Sequence, residues 1–181
     1  VFSNVDEELE GSGFATGAQN VSWSPQGAYT GATSPFMFKD AGATYALVGH
    51  SERRHVFGES NDDVRKKLEA CLDAQLTPVL CIGETKDDRD EHKTEYRLKK
   101  QLMKALDGLN VNGSKLIIAY EPVWAISKGG VGESCDPALA EEIQTMIKSE
   151  IKKYVDQDIP VLYGVSVKAD NVAYYLSRKN I

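Results

Sequence analysis

Lys115-Leu116-Ile117-Ile118-Ala119-Tyr120-Glu121-Pro122-Val123-Trp124-Ala125-Ile126 decides how this chain is read. An apolar run of the length of one buried strand ends in a carboxylate, and the proline that follows cannot extend a hydrogen-bonded ladder. Tyr45-Ala46-Leu47-Val48-Gly49-His50-Ser51-Glu52-Arg53-Arg54 repeats the plan with a histidine at the break. Each stretch puts one acid/base side chain just beyond a buried apolar strand, which is a proton-transfer site in outline.

Outward from these two stretches, short β-rich runs alternate with longer runs of helical periodicity, the pattern of βα units around a parallel sheet. Strands are expected at 13–18, 45–49, 78–83, 115–120 and 160–164. Asn61-Asp62-Asp63 would cap a helix running to Gln75, with Val64, Leu68, Cys71 and Leu72 on its apolar face. Leu98, Leu102 and Leu106 recur at four-residue steps in a helix from Thr94 to Leu106. Asp136-Pro137 would open another, since proline at the first helical position gives up an N–H that has no partner there anyway, and Ile143, Met146, Ile147 and Ile151 continue it. A last helix is expected within 166–177.

The chain has 181 residues, 41% of them hydrophobic, enough for one core of ordinary size, and no linker divides it; a single domain over 1–181 is expected. Lys and Arg number 21 against 27 Asp and Glu, a net charge of −6 without a basic run, which argues against nucleic acid as a partner. No apolar stretch approaches the roughly 18 residues that span a bilayer, and the first residues lack a signal-peptide layout, so no membrane association and a cytoplasmic location are expected. Cys71, Cys81 and Cys135 are widely spaced, suggesting neither a disulfide set nor a CxxC site, and Cys81 falls inside a buried strand. His55 and His92 lie in polar surroundings with no zinc-like spacing, so neither a metal nor an organic cofactor is expected.

The Gly49-His50-Ser51-Glu52-Arg53-Arg54 and Tyr120-Glu121-Pro122-Val123-Trp124-Ala125-Ile126 phrases resemble the signatures of the triosephosphate isomerase family. The resemblance implies an α/β fold, here an incomplete TIM-type (β/α) barrel of about five parallel β/α units where the whole barrel has about eight. The family's first two strands and its last have no counterpart in the match, nor do its Asn-Trp-Lys segment and the glycine pair of its final loop. Sheet edges left open in this way would expose unpaired backbone groups, and self-association is expected to cover them.

The resemblance also implies the chemistry. The substrate would be a small phosphorylated triose, dihydroxyacetone phosphate or D-glyceraldehyde 3-phosphate, interconverted through an enediolate. Glu121 would be the base, made more basic by apolar neighbours. His50 would be a neutral electrophile donating an N–H at the start of a helical turn, an arrangement for which this family is itself the worked case. Ser51 and Glu52 would support it, and Arg53 or Arg54 would serve subunit contacts or remain solvated. Pro122, Val123, Trp124, Ala125 and Ile126 would begin a lid that excludes water, Ser127 and Ser166 would bind the phosphate, and Tyr163 would latch the lid. Ser166 also suits a helix N-cap. Val165 stands where the family has glycine, and a β-branched side chain resists the positive φ that glycine takes freely. Gln19, Tyr29, Thr30 and Gly31 belong to a long loop expected to contact another subunit in a homo-oligomer. The alternative reading is a catalytically weak or inactive truncated barrel that self-associates or binds phosphate, or one part of a split enzyme.

Overall fold

The computed structural model describes residues 2–24, 27–111, 113, 115–126 and 134–181. These residues form two compact units, one from 1–80 with 109–117 and the other from 81–108 with 118–181.

In the first unit, helix α1 (Phe2–Glu8), strand β1 (Gly17–Ala18), helix α2 (Pro35–Asp40), strand β2 (Tyr45–Val48), helix α3 (Ser51–His55) and helix α4 (Asn61–Asp73) lead into strand β3 (Thr77–Ile82). The pairing is parallel, with Gly17 opposite Tyr45 and Tyr45 opposite Thr77, through to Val48 opposite Leu80. Strand β1 is shorter than expected because Gly13 has φ +78 and the chain is still turning there. The cap of α4 is also one residue earlier than expected. Ser60 Oγ accepts the Asp63 N–H while the Asp63 carboxylate accepts the Ser60 N–H, a reciprocal capping box. At the other end Gln75 takes φ 57, so the helix stops at Asp73 rather than reaching it. Its inner face carries Val64, Leu68 and Cys71 as expected, but Lys67 is buried there and Leu72 is only half-buried.

The second unit holds the end of β3, then helix α5 (Lys86–Asp90), helix α6 (Thr94–Leu106), strand β4 (Ile117–Tyr120), a 3-10 turn (Val123–Ala125), helix α7 (Pro137–Ile151), strand β5 (Val161–Tyr163) and helix α8 (Val172–Leu176). Strands β4 and β5 pair in parallel, Ile118 opposite Val161 and Tyr120 opposite Tyr163. The Asp136 carboxylate accepts the N–H groups of Ala138 and Leu139, so α7 begins as the Asp-Pro pair foretold. Helix α8 falls within the expected 166–177. Ser166 has φ 51 and Asn171 closes a loop by accepting Lys168 N–H and donating to Ser166 O, so Ser166 does not cap this helix.

The strand order is β1-β2-β3-β4-β5 in one five-stranded sheet, with β3 contributing to both units. Among the described residues no helix is long and apolar enough to cross a membrane, and no group of three or more His, Cys, Asp or Glu could hold a metal ion.

Candidate active site

Glu121 follows the last residue of β4 and is buried. Its N–H donates to Ile82 O at 2.8 Å, which locks it beside the end of β3. Gly83 makes that approach possible, because a Cβ there would lie 1.9 Å from the Glu121 carbonyl oxygen. On the β5 side, a Cβ on Gly164 would sit 3.5 Å from Glu121 Cγ and 3.6 Å from Oε1, so the carboxylate lies over the glycine. Three strand ends thus meet at Glu121, with Ile82 and Gly83 against its backbone and Gly164 beside its side chain.

The residues just after Glu121 are held by a second acid that the sequence reading did not single out. Glu84 Oε1 accepts Trp124 Nε1–H at 2.7 Å and Tyr120 O–H at 3.2 Å, and the Glu84 carbonyl accepts Val123 N–H at 3.0 Å. The Arg89 guanidinium lies 3.7 Å from the centre of the Trp124 ring, a cation–π contact on the indole face. Burial holds the Glu84 carboxyl above its usual range despite the N–H and O–H donors that favour its charged form. Burial likewise raises the Tyr120 phenol. The signal for Glu84 was present in the sequence: Pro78-Val79-Leu80-Cys81-Ile82-Gly83-Glu84 is a third apolar run ending in an acid/base residue. Gln101 was missed as well. From α6 its amide accepts Gly83 N–H at 3.0 Å and donates to Gly83 O at 3.1 Å, fixing the glycine that Glu121 passes.

Pro122, Val123, Trp124, Ala125 and Ile126 form the 3-10 turn and its flanks, with Ala125 N–H on Pro122 O at 2.9 Å. Ser166 Oγ donates to Ala125 O at 2.8 Å, so the sequence-predicted Ser166 and the start of the expected lid meet directly. Ser127 lies outside the described residues, as does the rest of the expected lid to Gly132. Val165 is not the strained position that its β-branch suggested. It is buried in an apolar cluster with Ala125, Cys135, Ala140 and Tyr175, and the positive φ falls on Ser166 instead. Tyr163 stacks on Tyr175 with ring centres 4.6 Å apart. Burial pushes its phenol upward, and the neighbouring Tyr175 hydroxyl adds to the shift.

In the first unit, His50 stands at the N-terminus of α3, two residues beyond β2. Its Nδ1 accepts Glu52 N–H at 3.3 Å, which assigns the ring proton of the neutral form to Nε2. Gly49, with φ +72, makes the turn before it. Arg54 pins that turn by donating to Gly49 O at 2.6 Å and to Asn61 Oδ1 at 2.8 Å. Arg53 donates to Glu59 Oε1 at 2.7 Å and lies over the Phe57 ring, and Lys67, buried, reaches the same Glu59 oxygen and Asn20 Oδ1. These partners make Arg53 and Arg54 internal braces rather than solvated helix-start charges. Ser51 is buried and its hydroxyl has no hydrogen-bond partner among the described residues, while the Glu52 side chain is largely exposed. Gln19, Tyr29, Thr30 and Gly31 are all exposed; their loop is tied by Ser22 N–H to Thr33 O and Ala32 N–H to Tyr29 O.

A family model described as triosephosphate isomerase matches residues 1–181. Relatives named triosephosphate isomerase include that of a Nostoc species, 42% identical over 177 residues, spanning 98% of this chain and 70% of the relative. That of a Roseiflexus species is 42% identical over 182 residues, with the same coverage. A crystal structure of triosephosphate isomerase from Bartonella henselae matches with a TM-score of 0.87 and 36% sequence identity, over 99% of this chain and 73% of that one. The five-stranded fold is accordingly an incomplete TIM-type α/β barrel. On these matches the chain belongs to the triosephosphate isomerase family.

Proposed function

We propose that this chain interconverts dihydroxyacetone phosphate and D-glyceraldehyde 3-phosphate by proton transfer between adjacent carbons. The observation that carries the reading is the buried Glu121 carboxylate at the end of β4, with Gly164 beside its side chain. Glu121 takes the proton from the carbon next to the substrate carbonyl, and the electron pair moves onto the carbonyl oxygen to give an enediolate. His50, whose Nε2 carries the proton, donates toward those oxygens and lowers the energy of the developing charge. The hydroxyl proton passes from one enediolate oxygen to the other by way of His50, and Glu121 returns its proton to the neighbouring carbon, so no group is consumed. Ser166 and Ser127 bind the phosphate, and the segment starting at Pro122 excludes water. Tyr163, Ser51 and Glu52 support these groups. No cofactor or metal takes part. The chain works as a cytoplasmic homo-oligomer, with Gln19, Tyr29, Thr30 and Gly31 at the contact.

A second reading is a self-associating or phosphate-binding module, or one part of a split enzyme. Its self-associating form is favoured by the Ser166 hydroxyl, which is engaged with Ala125 O within the chain.

The experiment is an isomerisation assay with glyceraldehyde 3-phosphate on chain purified from a host lacking its own isomerase, beside Glu121→Gln prepared identically. A fall of ~10²–10⁴ in kcat for the variant is expected if Glu121 is the base. Equal, background-level rates in both proteins would favour the second reading.

A further inference from the structure

We infer that Tyr175 is a positioning residue, whose hydroxyl holds Cys135, at the entry to α7, in the same buried cluster as Ala125. The functional relevance rests on the reading of Glu121 as the base; the tie itself does not. Tyr175 is a buried residue of α8, and its hydroxyl donates to Cys135 O at 2.6 Å, across forty positions of sequence. Three features make this more than a chance contact. First, Ser166 Oγ donates to Ala125 O at 2.8 Å, so a single segment, from β5 into α8, grips both Ala125 and Cys135 by their carbonyls. Second, Ala125 and Cys135 are both buried in the one apolar cluster that also contains Val165 and Tyr175, with Trp124 and Tyr163 packed against it. Third, the Tyr163 ring stacks on Tyr175 at 4.6 Å and lies 6.2 Å from that of Tyr120.

Tyr163 thus acts as the packing partner, and Tyr175 as the donor. Cys135 directly precedes Asp136, the N-cap of α7, so its carbonyl sits where the chain must be placed before that helix can start. Trp124, at the opposite end, is fixed by Glu84 and adjoins Glu121. With Ala125 and Cys135 both held by the segment from β5 into α8, the buried cluster is placed relative to the residues that follow the base, and close placement is what such a reaction demands.

The test is backbone hydrogen exchange of the full chain, read on peptides covering 134–140, for wild type and Tyr175→Phe. Phenylalanine keeps the ring on Tyr163 and removes only the donor. One neutral buried hydrogen bond corresponds to roughly a five- to tenfold change in a local opening equilibrium. Exchange at 135–138 should therefore rise by about that factor, while peptides from α6 exchange as in wild type. Unchanged exchange at 135–138 overturns the inference. An equal rise across α6 and α7 also overturns it, because it marks a general loss of packing. In a wild-type chain that isomerises, kcat should fall about fivefold in Tyr175→Phe with little change in KM; an unaltered kcat would sink the positioning role. A wild-type chain without isomerase activity refutes the function proposed above, and hydrogen exchange then decides the tie alone.

Discussion

Glu84 shows how one side chain can carry a consequence for the whole protein. It is buried, its Oε1 takes both Trp124 and Tyr120, and its Oε2 has no hydrogen-bond partner among the described residues. Burial therefore raises its carboxyl above the ordinary 4.5. Well below 4.5 the group is protonated in both folded and unfolded chains and contributes no pH dependence. As pH rises past 4.5 the unfolded carboxyl ionises first, the folded protein binds more protons, and stability falls until the folded group ionises too. Glu84→Gln lacks that loss. Urea midpoints taken at pH 4.5 and pH 8 should drop more in wild type than in Glu84→Gln; a parallel fall in the two proteins would show that Glu84 is not shifted upward. Two buried thiols follow the same rule, with Cys71 raised to about 12 and Cys135 to about 11, which keeps both protonated at neutral pH.

Elements here start where side chains can replace missing backbone partners. Helix α4 begins at a capping box in which Ser60 and Asp63 each satisfy the other's N–H, and α5 repeats the device with Thr85 and Asp88. Helix α6 instead has no side-chain cap at Lys93, and its place is set by the buried stripe of Leu98, Leu102, Ala105 and Leu106. The two solutions respond differently to mutation. Ser60→Ala should destabilise the protein by ~1 kcal/mol, seen as a lower urea midpoint, whereas Lys93→Ala should change it by less than half as much. Equal effects would mean that the cap contributes nothing specific. Both capping boxes were open to a sequence reading, since Ser60-Asn61-Asp62-Asp63 and Thr85-Lys86-Asp87-Asp88 have the same spacing. The helix at 61–73 was recognised and that at 86–90 was not, because five residues are too few to show a helical period.

At the scale of the molecule, β3 has residues in both compact units, as β4 does. Breaking it would cost both cores at once, so they are expected to unfold together. The chain's two tryptophans provide separate reporters, Trp23 in the first unit and Trp124 in the second. Trp23→Phe and Trp124→Phe variants should give fluorescence melts with coincident midpoints once each is corrected for its own circular-dichroism transition. Midpoints separated by more than the experimental spread would mean two independently folding pieces, contrary to the single domain expected from composition.

By itself the sequence determined the five strands, to within a few residues, the helices at 94–106 and 137–151, and the family, since apolar periodicity, Asp-Pro punctuation and two motif phrases are all local. It also pointed to Glu121 and His50 as the acid/base pair, because each follows an apolar run directly. Only the tertiary structure decided the rest. Burial of Lys67 opposite Glu59, the comfortable seat of Val165, the tie of Arg54 to Gly49 and the bond from Tyr175 to Cys135 all depend on what lies against a side chain. Neighbours brought together by folding leave no trace in local spacing: a valine in a glycine's place reads as strain until the next residue, Ser166, is seen to take the positive φ.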